Sequence, residues 1–240
     1  MKKIAIILFA VAFFATTVNA QKTVMVSISH EEKEVYLRSS PQMFEQYREI
    51  IEDALNARFV LNENQEISSA LLAEIDLLIM PSPLSRNSSR PLTATERRAI
   101  VDYVKNGGRL IFFTDEELRV DVDEFGGNDI VRPFGMNFGG DVPRLASSAI
   151  SFIGEVFSDR YIVPYVGSRE LTGGIPISVK NSEGGHVHGA YVKHESGGII
   201  VAFGETMVGL FLGGVGRWEG TVEDNRQFML ELIEWALRAD

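Results

Sequence analysis

Five short apolar runs along the chain predict the strands of a buried sheet. The runs are Thr23–Ser29, Arg58–Leu61, Ile75–Met80, Arg109–Phe113 and Ile199–Phe203. Their apolar residues are nearly continuous rather than alternating with polar ones, which is typical of strands that are covered on both faces. The pattern therefore predicts a sheet that packs against other elements on both sides.

Between these runs, apolar positions recur at helical spacing. Ser40 and Pro41 predict the start of a first helix, because serine caps helices and proline suits their first position. Thr93 and Glu96 form a capping box for a later helix, which the glycine pair at 107–108 ends. Strands and helices thus alternate, which predicts β-α-β units, a parallel sheet and a ligand crevice at the carboxyl ends of its strands.

Residues 116–195 interrupt this alternation. Glycine pairs separate short β-like runs there, such as Ile175–Val179 and Val187–Val192. Glycine-punctuated short strands favour hairpins. We expect a β-rich insertion within a single α/β domain that spans residues 21–240.

The first twenty residues have the pattern of a secretory signal peptide. Two lysines precede an unbroken apolar core, Ile4–Ala15, and residues 18–20 suit cleavage by signal peptidase. The apolar core is shorter than the ~20 residues that a membrane-spanning helix needs. We expect cleavage before Gln21, export to the periplasm or out of the cell, and no membrane span in the mature chain.

Charge and cysteine content narrow the class of partner. Removing Lys2 and Lys3 leaves 21 basic against 33 acidic residues, a formal net charge of −12. Such a balance argues against nucleic acid or an anionic membrane surface as a partner. The chain contains no cysteine, so an exported form has no disulfides and depends on its hydrophobic core for stability.

Several segments occur in a distinctive order along the chain. They are a strand ending near His30, Asp76–Ile79 before a proline loop, Val104–Leu110, a strand ending at Asp115, Phe134–Met136, Leu171–Ile175, Gly204-Glu205 and Asp224–Phe228. This order resembles the class I glutamine-amidotransferase-like superfamily, and within it the non-catalytic GldG-like and intraflagellar-transport GIFT-type domains. The matching segments cover most of residues 21–240.

The resemblance implies a flavodoxin-like, open, mostly parallel sheet with helices on both faces. It does not imply amidotransferase activity, because those enzymes need a cysteine nucleophile after the strand where this chain has Asp115, Glu116 and Glu117. In the GldG-like and GIFT-type branch the domain is a binding or assembly module. The resemblance therefore implies a non-catalytic role.

The predicted strand ends carry polar side chains that could form one site, namely His30, Ser82, Asp115 and Glu205. We prefer a non-catalytic site that binds a carbohydrate ligand or a protein partner. The alternative is a hydrolase or lyase acting on a carbohydrate or ester, with His30 as general base, Ser82 as nucleophile and Asp115 orienting the imidazole. Glycoside hydrolysis by the neighbouring carboxylates also stays open, since it needs two carboxyl groups roughly 5 to 9 Å apart.

A second cluster suggests a metal site. His186 and His188 are two residues apart, so a regular strand would place both imidazoles on one face and near one metal ion. His194 or Glu195 could supply a third ligand. A surface hairpin without metal shows the same alternation.

The glycine-rich run 209–216 lacks the Lys-Ser/Thr of a phosphate-binding loop. We expect it to form a flexible lid over the crevice. Its Phe211, together with Trp218, Tyr161 and Tyr165, could form an aromatic platform for a sugar or a protein.

Overall fold

The computed structural model describes residues 21–142, 147–165, 167–180, 185–214 and 224–239. The strands are β1 (Thr23–Ser27), β2 (Arg58–Asn62), β3 (Leu77–Met80), β4 (Arg109–Phe113), β5 (Asn137–Val142), β6 (Ser147–Ser151), β7 (Ile162–Tyr165), β8 (Ser168–Thr172), β9 (Ile175–Lys180), β10 (Val187–Lys193) and β11 (Ile199–Phe203). The α-helices are α1 (Lys33–Ser39), α2 (Met43–Arg48), α3 (Ser69–Leu72), α4 (Ala94–Lys105), α5 (Val122–Phe125), α6 (Gly127–Val131), α7 (Met207–Leu210) and α8 (Asn225–Arg238).

Nine strands form one mixed sheet in the order β2-β1-β3-β4-β11-β10-β9-β6-β7. The five strands from β2 to β11 run parallel to one another. They are the five strands that the apolar runs predict, and β4 and β11 have the predicted bounds. Their shared direction places their carboxyl ends at one edge of the sheet.

Four strands of the predicted insertion extend this sheet. β10, β9, β6 and β7 continue it with antiparallel pairing. β5 and β8 pair with each other in a small second sheet. Residues 116–195 thus contribute both an antiparallel half of the main sheet and a separate ribbon.

Helices cover both faces of the sheet. Along β1 the side chains of Val24 and Val26 enter one core cluster, whereas that of Met25 enters the other. The first cluster contains buried residues of α1, α2 and α8, and the second contains buried residues of α4, α5 and α6. The expected α/β fold with a flavodoxin-like arrangement is confirmed.

The region around Ser40 differs from the prediction. A helix, α1, precedes Ser40, and α2 begins only at Met43 with Gln42 in the capping position. Ser40 is buried and its hydroxyl donates to the carbonyl of Leu210, 2.5 Å away. The hydroxyl therefore serves a long-range contact, and the helix continues after α2 as the π-helical segment Glu49–Ala54.

The capping box of α4 is confirmed. Thr93 Oγ1 accepts the N–H of Glu96 at 3.2 Å, and Glu96 Oε2 accepts the N–H of Thr93 at 2.9 Å. The other carboxylate oxygen of Glu96 accepts the N–H of Ile67 at 3.1 Å. Glu96 thus caps the start of the helix and also links the helix to the segment before α3.

Some predictions concern residues outside the described ones. They are the signal peptide at residues 1–20, Trp218, and the end of the glycine-rich run at 215–216. Across the part of the chain that the structure describes, no helix is long and apolar enough to cross a membrane.

Candidate functional site

The carboxyl edge of the parallel strands gathers buried polar groups. The backbone N–H of Ser82, after β3, donates to Thr206 Oγ1, after β11, at 3.2 Å. Glu31, after β1, accepts the N–H groups of Leu84 and Ser85, each at 2.9 Å, and its other oxygen accepts the Ser88 hydroxyl. The carboxylate of Glu31 therefore shapes the polar loop that follows β3.

His30 faces α4. Its Nε2 lies 3.1 Å from Glu96 Oε1, and its Nδ1 lies 3.2 Å from Ser29 Oγ. The imidazole ring packs nearly perpendicular to the Phe125 ring, with ring centroids 5.9 Å apart. Burial lowers the pKa of His30, although the Glu96 carboxylate beside it acts in the opposite direction. The structure thus places His30 as a buried link between the end of β1 and the start of α4.

Ser82 has no exposed surface. Its hydroxyl donates to the carbonyl of Pro83 at 3.1 Å, and its own carbonyl accepts the Tyr36 hydroxyl at 3.2 Å. Among the described residues, no hydrogen bond joins Ser82 to His30. The base and nucleophile of the hydrolase alternative are therefore not in contact here.

Asp115 and Glu205 lie close enough for their charges to interact. Burial raises the pKa of Asp115 well above its ordinary value, and the Glu205 carboxylate raises it further. Asp115 Oδ1 accepts the N–H of Glu116 at 2.8 Å, and the Asp115 carbonyl accepts Nε–H of the buried Arg169 at 2.9 Å. The structure therefore brings together these two of the four predicted edge residues.

A chain of buried polar side chains leads from Ser178 through His188 to Glu205. Ser178 Oγ lies 2.8 Å from His188 Nδ1, and His188 Nε2 lies 3.1 Å from Glu205 Oε1. None of the three has exposed surface. Burial lowers the pKa of His188 to about 3 and raises that of Glu205 to about 8. At neutral pH the pair is therefore a neutral imidazole beside a protonated carboxyl group.

Sequence reasoning missed Ser178. It enters the site because β9 and β10 pair antiparallel with a register shift between Val187 and Gly189, at His188. No local pattern around Ser178 indicates this pairing. The sequence feature that could have drawn attention to Ser178 is that a polar residue stands within the apolar run of β9.

Among the residues that the structure describes, none stands as a third ligand at the predicted metal site of His186 and His188. His186 precedes β10 and is half-buried, whereas both ring nitrogens of His188 face Ser178 and Glu205. His194 Nδ1 lies 2.8 Å from Ser196 Oγ. In the described ranges, no three His, Cys, Asp or Glu side chains are grouped as a metal site would require. Metal binding at His186 and His188 stays a prediction.

A cleft of about 270 Å³ opens at this edge of the sheet. Its lining comprises Arg38, Ser39, Leu84, Asp115, Glu116, Arg119, Gly167, Met207 and Phe211. Of the predicted edge residues, Asp115 lines it. A Cβ atom on Gly167 would lie 2.3 Å from Glu116 Oε2, so the glycine makes room for this carboxylate. A larger cavity, about 420 Å³, lies at the opposite edge beside Tyr103 and Arg109.

The wall formed by Met207 and Phe211 belongs to α7 and its end. The N–H of Phe211 donates to the Met207 carbonyl at 2.9 Å. Tyr161, predicted for an aromatic platform, is buried, and its hydroxyl donates to Glu231 at 2.6 Å. Phe211 is half-buried and lines the cleft. Of the aromatic residues predicted for the platform, Phe211 thus supplies the cleft wall.

Solved structures share this architecture at low sequence identity. The N-terminal domain of mmIFT52 aligns with a TM-score of 0.67 at 14% identity, over 91% of this chain and 99% of that domain. A ThuA-like protein from Bacteroides uniformis ATCC 8492 aligns with a TM-score of 0.53 at 13% identity, over 94% of this chain and 95% of the other. The chain has a class I glutamine amidotransferase-like fold.

A third similar structure is an enzyme. Exo-beta-1,4-mannosidase Op5Man5 from Opitutaceae bacterium strain TAV5 aligns with a TM-score of 0.52 at 15% identity, over 91% of this chain. The chain spans 35% of the mannosidase's length. No protein-family model matches the chain, and no curated protein matches it. At these identities the likeness extends to the fold alone.

Proposed function

We propose that the protein is an exported, non-catalytic binding domain whose cleft takes a small, neutral, hydroxyl-rich ligand such as a single sugar ring. The observation that carries this proposal is the lining of the cleft. It combines two guanidinium groups, two carboxyl groups and three apolar side chains around a cleft of about 270 Å³.

The size of the cleft favours a small ligand. Pockets for drug-sized molecules have volumes of roughly 300 to 1,000 Å³. The cleft, at about 270 Å³, lies just below this range. A single ring with its hydroxyl groups fits better than an extended chain.

The chemistry of the lining favours a neutral polyol. Arg38 and Arg119 supply donors only, whereas Asp115 and Glu116 supply acceptors and, when protonated, a donor. A hydroxyl group both donates and accepts, so neighbouring hydroxyls can bind both kinds of side chain. The half-buried Phe211 offers an apolar face for the ring. Burial raises the pKa of the Asp115 carboxyl group, so this group can donate as well as accept, and a hydroxyl group can bind it in either role.

The placement of the predicted catalytic groups supports a non-catalytic role. Ser82 is fully buried, and the described partners of His30 are Ser29 and Glu96. Neither His30 nor Ser82 lines the cleft. In a catalytic site, by contrast, a nucleophile and its base must lie within hydrogen-bond reach of each other and of the substrate.

Assignment to the GldG-like and GIFT-type branch is part of the proposal. The fold likeness to the mmIFT52 domain supports it. The location, periplasm or outside the cell, rests on the signal-peptide pattern at residues 1–20.

The proposal is tested by isothermal titration calorimetry of the purified protein. The panel comprises D-mannose, D-glucose, D-galactose and N-acetyl-D-glucosamine, with D-glucuronate and D-glucosamine as charged comparisons. We expect saturable binding of at least one neutral sugar and weaker binding of the charged ones. Arg119→Met removes donors from the cleft and should weaken binding roughly tenfold, as for a lost hydrogen bond to a charged group.

Arg98→Met is the matched control, because Arg98 is exposed on α4 and does not line the cleft. It should bind like the unchanged protein. Failure of every neutral sugar to bind, or equal loss in both variants, would overturn the proposal.

The hydrolase or lyase alternative predicts turnover. The test is release of p-nitrophenol from p-nitrophenyl glycosides and p-nitrophenyl acetate. We expect none above the rate in buffer. Turnover that His30→Ala abolishes, in a variant that remains folded, would favour the enzyme.

A further inference from the structure

We infer that Tyr47 and Glu205 are positioning residues, which hold α7 in place and thereby preform the Met207 and Phe211 wall of the cleft. The binding part of this inference rests on the proposed function. The structural part stands by itself.

α7 needs support from the rest of the molecule. It has four residues, far fewer than the ~12–15 at which an isolated helix becomes even marginally stable in water. The carbonyl groups at a helix end also have no partner within the helix. The position of this wall must therefore come from contacts with other elements.

Four buried side chains supply these contacts. Glu205 Oε2 accepts the N–H of Met207 at 2.5 Å. The Tyr47 hydroxyl donates to the Gly209 carbonyl at 2.7 Å, and the Ser40 hydroxyl donates to the Leu210 carbonyl at 2.5 Å. Asn225 Nδ2 donates to the Phe211 carbonyl at 2.6 Å.

The four side chains come from different parts of the fold. Tyr47 lies on α2, Ser40 in the preceding turn, Glu205 after β11 and Asn225 at the start of α8. All four are buried. The wall is thus fixed to the sheet through Glu205 and to two helices through Tyr47 and Asn225.

Two further buried side chains, His188 and Ser178, hold Glu205 in place. His188 Nε2 lies 3.1 Å from Glu205 Oε1, and Ser178 Oγ lies 2.8 Å from the other ring nitrogen. The Glu205 oxygen that bonds Met207 is therefore oriented by a chain of buried groups. This chain connects the antiparallel half of the sheet to the cleft.

A close contact also fixes α7 against the sheet. A Cβ atom on Gly209 would lie 2.8 Å from the Phe113 ring of β4. The turn at Gly209 therefore packs directly on the sheet. Binding to a wall already held in this way avoids the entropic cost of ordering it.

Tyr47→Phe tests the inference with Tyr36→Phe as its matched control. Tyr47 and Tyr36 are both fully buried, and each donates its hydroxyl to a backbone carbonyl, Gly209 in one case and Ser82 in the other. Both variants lose one such bond, so both should lose similar overall stability. Only Tyr47→Phe removes a bond to α7.

Hydrogen-deuterium exchange of residues 207–211 is the first readout. We expect about fivefold faster exchange in Tyr47→Phe, the change that one lost hydrogen bond produces, and unchanged exchange there in Tyr36→Phe. Calorimetric binding of the sugar found above is the second readout, and it should weaken about fivefold in Tyr47→Phe alone.

Glu205→Gln and Glu205→Met give a second, independent comparison. Glutamine keeps an acceptor for Met207 and a donor toward His188, so it should preserve slow exchange. Methionine removes the acceptor and should speed exchange.

Unchanged exchange at 207–211 in both Tyr47→Phe and Glu205→Met would overturn the positioning role. If no sugar binds the unchanged protein, the proposed function fails, whereas the exchange data still decide whether Tyr47 and Glu205 hold α7. If exchange at 207–211 rises while binding is unchanged, the two residues hold α7 without positioning the ligand, and the inference about the cleft is wrong.

Discussion

His188 Nε2 lies 3.1 Å from Glu205 Oε1, and neither side chain has any exposed surface. The contact joins β10 of the antiparallel half to the residue that follows β11, at the edge where the cleft opens. A buried polar pair of this kind stabilises the fold only while both members are present.

His188→Ala should strongly destabilise the protein. The substitution leaves Glu205 and Ser178 buried without their shared partner and creates a cavity. We expect the free energy of unfolding to fall by roughly 3 kcal/mol, as measured by urea denaturation. His194→Ala is the control, because His194 is only half-buried and bonds the exposed Ser196. A loss below about 1 kcal/mol in His188→Ala would contradict the described pairing.

The stability of the protein should decrease between about pH 6.5 and pH 8. Burial raises the pKa of Glu205 from 4.5 to about 8, so in this range the folded state keeps a proton that the unfolded state has lost. Stability falls with rising pH wherever the folded state binds more protons. The raised pKa of Asp115 acts in the same direction.

Below pH 6.5 the histidines oppose this trend. Burial lowers the pKa of His188 to about 3 and lowers that of His30, so unfolded histidines take up protons that the folded ones do not. Between about pH 4.5 and pH 6.5 the histidines and the raised carboxyl groups offset each other, so stability should be nearly level there and fall above about pH 6.5. Urea denaturation from pH 4 to 9 measures this profile. Glu205→Gln should flatten the alkaline side, and an equally steep fall in that variant would refute the assignment to Glu205.

Gly209→Ala should destabilise the protein by about 1 to 3 kcal/mol, because its Cβ would lie 2.8 Å from the Phe113 ring. Gly154→Ala is the matched control, since no atom lies within 4 Å of a Cβ built there. It should change the free energy of unfolding by less than about 0.5 kcal/mol. Thermal unfolding of the two variants side by side gives the comparison. Equal stability would show that α7 does not pack on the sheet as described.

The exported protein should begin at Gln21. The charged start, apolar core and small residues of positions 1–20 have the pattern expected of a cleaved signal peptide, on which the proposed export rests. Intact-mass measurement of protein recovered from the periplasm or the medium checks this. Recovery of the uncleaved chain from the cytoplasm would contradict the expected location.

The parallel half of the fold could be predicted from the sequence because its signals are local. β4 and β11 have their predicted bounds, since each is a short apolar run bordered by glycine. The capping box at Thr93 and Glu96 likewise lies within four residues. Pattern and structure agree wherever neighbouring residues carry the information.

The rest depends on long-range contacts. Ser40 has the features of a helix cap, but its hydroxyl bonds Leu210, 170 residues away. Ser178 and His188 meet through a hairpin with an irregular register, which spacing cannot indicate. His30 follows a strand as predicted, but its partner Glu96 lies on α4. Which way a side chain turns at a strand end is decided by packing.

The central claim is that a neutral sugar binds in the cleft beside Met207. The most direct measurement is a spectrum of the protein with ¹³C-labelled methionine methyl groups, titrated with the sugars that calorimetry identifies. Met207 lines the cleft, whereas Met25 and Met80 are buried in the core. We predict a saturable shift of the Met207 signal with the other two unchanged. Binding that leaves the Met207 signal unmoved, or no binding by any neutral sugar, would contradict the account.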